Sequence, residues 1–589
     1  MRLSKFLAKT IRDIPKDAEL PSHRFMLRGG FMKQFSAGIY ALLPLGMRSV
    51  SKIEKLCREE MNRRDGLEIK MPCTATKELW DETGRYDTFG KDMMKFKDRH
   101  EKPMVLNPTH EEPVVGIART EITSYKQLPM MLYQIQTKFR DEPRPRGGLI
   151  RLREFSMKDG YSFHTSEEDL KKYYDEMHQS YMRFFKRCGC KNFVSVMSDN
   201  GLFGGRYSHE FQMISPNGED KLLLCESCRY CANAEVAQSK FESKVHIKSK
   251  KQLSKVLTPN TKTIQDLCLY LKVDEKDTAK AVLFQNLKGD TLVAVFVRGD
   301  REVMDKKVRT LVGFEIIPAT AETIAKGGAV PGFTGPKGLN LKTCYVVIDE
   351  CLMQNHELIT GANEVDAHYT HFSMEEDFIQ ETPAHFKNQI KIGDVTLVKS
   401  GDNCPHCTGG TLKEIRGIEI GNIFHLGTKY SKSMDCSYLD FQGKKQFPIM
   451  GCYGIGMTRL LPAIIEESYD ERGPIFPIPV APFEVHLCVF NRKEKNVFEA
   501  SEAIYQELKL KNIDVLIDDR DEKPGSQFAD ADLFGIPFRI LISPKTLQEN
   551  SVELKYRDGR EDAQLISLTE IVDFLQNKVT LEYQKYDIS

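Results

Sequence analysis

The chain has 589 residues, 41% of them hydrophobic and 29% charged, and Lys plus Arg and Asp plus Glu both total 84. That length gives a prior of about three to four domains, and the composition is an ordinary soluble one with enough apolar material for large cores. Zero net charge excludes a histone-like polybasic binder but leaves nucleic acid open, because phosphate contacts need only a local basic face.

No run of apolar residues reaches the roughly 18 needed for a membrane span, so none is expected. The N-terminus, MRLSKFLAKTIRDIPKD, carries charges at positions 2, 5 and 9 and has no sustained apolar core, so a secretory signal is not expected. The 15 cysteines are an odd number scattered through a large chain. That usage suggests reduced thiols in a cytosol, with clustered cysteines more suited to metal than to disulfides.

In chain order, residues 43–64 read as a helix, with Val50, Ile53, Cys57 and Met61 recurring at three- and four-residue steps. Residues 67–72, LEIKMP, alternate as a strand and stop at Pro72. Residues 129–142 and 149–159 read as two strands joined through Gly147 and Gly148, an antiparallel hairpin with a long basic loop. Arg140, Arg144, Arg146, Arg151 and Arg153 crowd into this span. The run is either a solvated loop or a hairpin wrapped around several phosphates. Arg140 and Glu142 sit two apart on the predicted strand and so share a face. Alone, such a pair reads as a cross-strand salt bridge. Downstream, GIGMTR adds Gly454 and Gly456, where a backbone can be closely approached, and Arg459, which opens the next helix. The combination of an arginine hairpin with a Gly-x-Gly-x-x-Arg strand–helix junction is much rarer than either part.

Near 240 the texture changes. A lysine-rich lead-in, SKVHIKSKKQLSKV, and a matching exit at 385–395 bracket short strand-like runs such as TLVAVFVRGD and TCYVVIDE. Residues 240–385 therefore read as an inserted domain between 1–239 and 386–480. From 483 to 589 strands and helices alternate as a small α/β unit. No repeat or low-complexity tract occurs. The fold class is multidomain, α+β and α/β.

The cysteines of CESCRYC and CPHC offer two Cys-x2-Cys knuckles, Cys225 with Cys228 and Cys404 with Cys407, at tetrahedral zinc spacing on opposite flanks of the insertion. They suggest a structural zinc clamp at its base; the alternative is a set of reduced thiols. Cys231 and His406 are spare ligands. Cys452, beside the glycine motif, reads as a packing residue.

These residues carry a resemblance. MLRGGFMKQFSAGIYALLPLG, NPTHEEP, SYKQLPMMLYQIQTKFRDEPRPRGGLIRLREFSMKDGYSFH, SHEFQ, GNIFHLGTKYS, GCYGIGMTRL, DERGPIFP and DDRDEKPGSQFADADLFGIP resemble the bacterial-type prolyl-tRNA synthetases, of class II and subclass IIa, over nearly the whole chain. The resemblance implies an antiparallel-sheet catalytic core, an inserted editing domain and a C-terminal anticodon-binding domain. It implies a cytoplasmic homodimer, with motif 1 ending at Pro72 in the dimer interface, that uses ATP and Mg²⁺ and acts on L-proline and tRNA(Pro). By the same resemblance, Arg140 bridges the ATP α-phosphate and the proline carboxylate. Glu142 holds the adenine end, Phe155 stacks on the ring, Arg151 assists at the phosphates and Arg459 takes the γ-phosphate. Glu419 lies near ATP and Mg²⁺. Thr109 and Glu111 contact the substrate's secondary ammonium, with His209 nearby. The same PTHEE run also reads as a helix start with Thr109 as cap.

Lys280, Asp349 and His368 match editing positions, where alanine wrongly attached to tRNA(Pro) is hydrolysed. Such a site answers a physical need, because each missing methylene costs only about 1–3 kcal/mol of discrimination. Arg520 and Lys523 match the anticodon side of the last domain. The rival readings are a class IIa enzyme for threonine or glycine, which PTHEE opposes, and a non-catalytic tRNA-binding relative, which the retained Arg140, Glu142 and Arg459 oppose.

Overall fold

The structure is a computed structural model and describes residues 1–7, 9–16, 18–198, 208–240 and 252–588. Contacts divide the chain into two units. One is Met1–Val196 with Asn200–Asp220 and Arg416–Ser589; the other is Met197–Asp199 with Lys221–Ile415.

The first unit is organised by a long antiparallel hairpin, Met130–Phe139 against Glu154–His164, in register from Met130↔Phe163 to Phe139↔Glu154. Ile449–Gly456 adds antiparallel to its second strand, Leu412–Gly427 to that, and Ser208–Ile214 beyond. At the other edge Leu67–Glu68 pairs parallel with Leu132–Tyr133. One face of this sheet is covered by helices Pro44–Asn62 and Glu167–Arg187. Val50, Ile53, Cys57 and Met61 meet Tyr174, Met177, Tyr181 and Phe185 in its core. The expected helix periodicity is thus the buried stripe. On the opposite face Leu132, Tyr161, Phe163, Phe424 and Cys452 pack with Val114, Val115 and Ala118 in a second core.

Two boundaries differ from the sequence reading. The second strand begins at Glu154, not 149, because Leu149, Ile150 and Leu152 are pulled into the main core as anchors of the basic loop. Gly147 and Gly148 make the turn at φ +65° and +62°, backbone that glycine adopts freely. The run 67–72 pairs only at Leu67–Glu68 before Met71 N–H turns aside to the Gln134 side chain.

Also in this unit, Val485–Val489 lies between parallel partners Val515–Asp518 and Phe538–Ile542, with Ser551–Tyr556 and Gln564–Ser567 added antiparallel. Helices Lys495–Leu510, Pro524–Phe534 and Ile571–Gln584 complete this α/β layer. Its apolar core runs from Ile478 to Val579.

The second unit holds a mixed sheet in the order 254–257, 367–372, 358–361, 278–286, 292–298, 344–349, 390–393. The expected exit at 385 is corrected here. Ile390–Gly393 pairs parallel with Val346–Asp349, so the insertion's own sheet ends after that point. Composition marked the charged exit, but strand pairing, which composition cannot see, decides where a unit ends. Residues 243–251 of the lysine-rich lead-in lie outside the described residues.

Candidate active site

The arginine loop resolves into two tasks. Arg140 follows the first hairpin strand, and its N–H still pairs with Arg153 O at 2.9 Å. Its guanidinium lies 5.3 Å from the Phe155 ring centre, and its Nη2 is 3.5 Å from Pro108 O, beside Thr109. Burial lowers its pKa, and the neighbouring Arg459 charge lowers it further. Arg459 sits in the first turn of helix Met457–Glu467. It donates to Ile150 O at 2.7 Å and Glu419 O at 3.1 Å, with the Glu419 carboxylate 3.7 Å away. Burial pushes the Glu419 carboxyl up. Two cations, of which Arg140 is the desolvated one, thus share one half-buried acid, a local excess of positive charge that an anion would relieve. A Cβ at Gly454 would be in ordinary van der Waals contact with Asn422 O at 3.8 Å and Met157 Sδ at 3.9 Å, so the strip beside it is not crowded.

Arg146 and Arg151 are paired. Arg151 binds Glu142 at 2.7 Å and Glu219 at 3.2 Å, and Arg146 binds Glu219 at 2.5 Å. Glu142 does not share a strand face with Arg140 as expected. The strand ends at Phe139 and Glu142 N–H turns back onto Arg140 O at 2.8 Å.

Thr109 and Glu111 stand at the start of helix Glu111–Glu121. The N-cap is His110, with no side-chain cap bond, so Thr109 is not the cap. Its hydroxyl donates instead to Glu111 Oε2 at 2.7 Å. Glu111 and Glu112 are fully buried, and Nη1 of Arg85 lies 3.1 Å from both carboxylates. Cys452 Sγ is 3.5 Å from Glu111 Oε1, and burial pushes its thiol far above the ordinary range. It is a lining residue, not a nucleophile. Below, Asp159 receives Lys138 at 2.6 Å, Gln134 at 2.9 Å and the Tyr161 hydroxyl at 2.9 Å, and Tyr161 Oη accepts His110 N–H at 3.0 Å. Sequence reasoning missed Arg85, Lys138, Asp159 and Tyr161. The strand alternation of the last three was a usable signal; Arg85, in TGRYDT, reads as any solvated charge.

His209 is a correction. It pairs with Ile423, and Ile423 with Tyr453, whereas Ser208, Phe424, Cys452 and Tyr161 form the neighbouring row. Alternate residues face opposite sides, so His209 lies on the helix-covered face. There its Nδ1 meets the Tyr174 hydroxyl at 2.8 Å, away from the Thr109–Glu111 pocket.

In the second unit Lys280 and His368 line one cavity of about 320 Å³ with Thr261, Thr334, Gly332 and Gly361. Burial pushes His368 down to about 4, and its Nδ1 is held by Thr258 Oγ1 at 2.6 Å. Lys280 Nζ donates to Gly299 O at 2.9 Å, and burial lowers its pKa. Asp349 is not among the cavity residues. It is fully buried and accepts Cys351 N–H at 3.1 Å and Val395 N–H at 2.9 Å, a structural task that follows from its place at the strand end.

Cys225, Cys228, Cys404 and Cys407 converge in this unit with all four sulfurs within 4.8 Å of one another. Cys225–Cys407 and Cys228–Cys404 are each 3.6 Å apart. A tetrahedron with Zn–S of about 2.3 Å needs sulfurs about 3.8 Å apart, so the donor set fits zinc. Cys231 stays in strand Cys231–Asn233, and His406 stacks on Tyr230 at 4.6 Å; neither joins the cluster. Arg520 is held by Asp518 and Asp530, each at 2.7 Å, so it is not free to reach outward as expected. Lys523 precedes helix Pro524–Phe534 and is exposed. No helix among the described residues is long and apolar enough to cross a membrane.

Residues 94–468 match the family described as tRNA synthetase class II core domain (G, H, P, S and T), and 484–578 match the anticodon binding domain. The fold is that of a class II aminoacyl-tRNA synthetase. Proline–tRNA ligase of Geotalea daltonii is 43% identical over 575 residues, 97% of this chain and 98% of that relative. That of Trichlorobacter lovleyi is 43% identical over 98% of this chain and 99% of the relative. Prolyl-tRNA synthetase from Cryptosporidium parvum complexed with L-proline and AMP shares the fold at TM-score 0.55 and 13% identity, over 97% of this chain and 79% of that one. The chain belongs to the proline–tRNA ligase family. It activates L-proline with ATP and transfers it to the 3′ end of tRNA(Pro).

Proposed function

We propose that Arg140, Arg459, Thr109 and Glu111 make prolyl-adenylate on the sheet face that carries Asp159 and Tyr161. The observation that carries this reading is the pair of guanidiniums, desolvated Arg140 and Arg459, beside half-buried Glu419, with Arg140 reaching Pro108 O next to Thr109 and Glu111. Glu111 and Thr109 receive the secondary ammonium of proline. Arg140 holds the proline carboxylate against the α-phosphate, Phe155 and Glu142 flank the adenine, and Arg151 and Arg459 take the outer phosphates. The proline carboxylate oxygen attacks the α-phosphorus, the bond to the β-phosphate oxygen breaks, and pyrophosphate leaves. No proton transfer is needed, so positioning and fixed positive charge carry the rate. A guanidinium suits this because it is always charged and offers a fork of donors. The Glu419 carboxylate is a hard oxygen donor beside the arginines and would hold Mg²⁺, which supplies charge neutralisation at the phosphates.

The test is amino-acid-dependent ATP–pyrophosphate exchange. Proline should support strong exchange, and Arg459→Ala should lower it at least 100-fold while tRNA binding stays near the parent value. Retained exchange in Arg459→Ala would overturn its role.

The Lys280–His368 cavity supports a second, hydrolytic site for alanyl-tRNA(Pro). The four-cysteine cluster supports a structural zinc ion that ties the two knuckles together. The sheet edge at Leu67, which leaves that side chain 54% exposed, supports a homodimer through this region. The C-terminal α/β layer would bind the anticodon stem-loop of tRNA(Pro), and the enzyme would work in the cytoplasm.

A further inference from the structure

Arg85 takes no part in the chemistry above, yet it is 2% exposed and caged by Trp80, Phe89 and Tyr430, with ring centres 5.2 to 5.4 Å away. A buried cation at ring faces is an ordered, desolvated charge. Its Nη1 stands 3.1 Å from Glu111 Oε2 and 3.1 Å from both oxygens of Glu112. Both acids are fully buried, side by side in the first turn of one helix. Two adjacent carboxylates in a dry site cannot both ionise without a counter-charge. We infer that Arg85 is a positioning residue for proline recognition: by bridging Glu111 and Glu112 it keeps Glu111 ionised and turned towards Thr109, ready for the cationic ring nitrogen of the substrate. The inference rests on the reading that Glu111 receives that ammonium.

The surrounding groups leave this task to Arg85. Burial pushes Glu112 up despite Arg85. Cys452 and Tyr161 from the sheet and Tyr430 from helix Lys429–Ser433 are pushed up by burial and stay protonated at neutral pH. His110 is lowered by burial and is uncharged there. Asp159 is paired with Lys138 at 2.6 Å. Arg140 keeps its charge for the carboxylate and phosphate side. Lys429 is lowered by burial; its loss of a proton at high pH would disfavour ionised Glu111, the opposite of the alkaline recovery expected below.

The test measures KM for proline and for ATP in pyrophosphate exchange with the full-length enzyme, between pH 6 and 9. Arg85→Met should raise KM for proline roughly 100-fold near neutrality and leave KM for ATP within about twofold. A carboxylate whose pKa has been raised regains its charge as pH climbs through that value, so KM for proline in this variant should fall again towards pH 9. Adding Glu112→Gln to Arg85→Met removes the competing acid and should restore most proline affinity at neutral pH. A pH-independent defect, or a double variant as poor as the single one, overturns the inference. If Arg85→Met does not fold, Arg85→Lys gives the same reading: one ammonium cannot fork both acids, so a KM for proline that is parental or flat with pH overturns it. Glu111→Gln separates the two claims. An unmoved proline KM there removes the pocket reading itself; a raised KM in Glu111→Gln beside a parental one in Arg85→Met removes only Arg85's role.

Discussion

Lys138 and Asp159 lie 0% and 2% exposed and 2.6 Å apart beneath the start of helix Glu111–Glu121. Burying a charge is tolerated only when it is paired and hydrogen-bonded, and breaking such a pair leaves an uncompensated charge that costs about 3–5 kcal/mol. Lys138→Met strands Asp159 with only Gln134 and Tyr161 as neutral donors. It should lower unfolding free energy by roughly 3 kcal/mol in urea titration. An unchanged midpoint would mean that the pair contributes no net stability. At this scale the candidate residues were legible in the motifs. Arg140 and Arg459 stood out because guanidinium groups beside glycines are rare together. Asp349 and His209 did not behave as their motifs implied, since one serves a strand end and the other faces the back of the sheet.

Among the elements, the two cysteine knuckles are the most local device. Gly410 sits between them: an added Cβ would lie 2.6 Å from Cys407 Sγ and 2.8 Å from Cys225 Sγ. Gly410→Ala should therefore push the sulfurs apart and lower bound zinc well below one equivalent, read by metal analysis under reducing conditions. A chelator should lower the melting temperature of the parent protein and leave that of Gly410→Ala nearly unmoved. Absence of zinc from the parent would end the clamp. Element existence was readable from periodicity, as in helix Pro44–Asn62 and the arginine hairpin. The hairpin's second strand was misplaced because LIRLR alternates like a strand while its apolar side chains are loop anchors. Alternation reports which residues are buried and is blind to what buries them.

For the whole molecule, the proposed synthetic and hydrolytic sites fall in different compact units. Their functions should be separable. His368→Ala should raise accumulated alanyl-tRNA(Pro) on the order of 100-fold while proline-dependent exchange stays at the parent rate. Because burial pushes His368 down to about 4, the imidazole is neutral throughout the physiological range. Its contribution is present at neutral pH and is lost only as pH falls towards about 4. Deacylation should therefore hold steady as pH drops from 8 to about 5.5; a collapse centred near the ordinary histidine value of about 6.5 would contradict a buried, neutral His368.

The sequence by itself determined the family and singled out Arg140, Arg459, Thr109, Glu111 and the zinc-spaced cysteines as candidates. Each is written in short motifs whose residue types suit one chemistry at fixed local intervals. Only the tertiary structure decided that Glu142 leaves the strand, that His209 turns away, that the insertion runs past Ile390, and that Arg85 is the counter-charge beneath Glu111. Those depend on register, strand pairing and burial between segments far apart in the chain, where a charged residue read alone looks the same whether solvated or sealed inside.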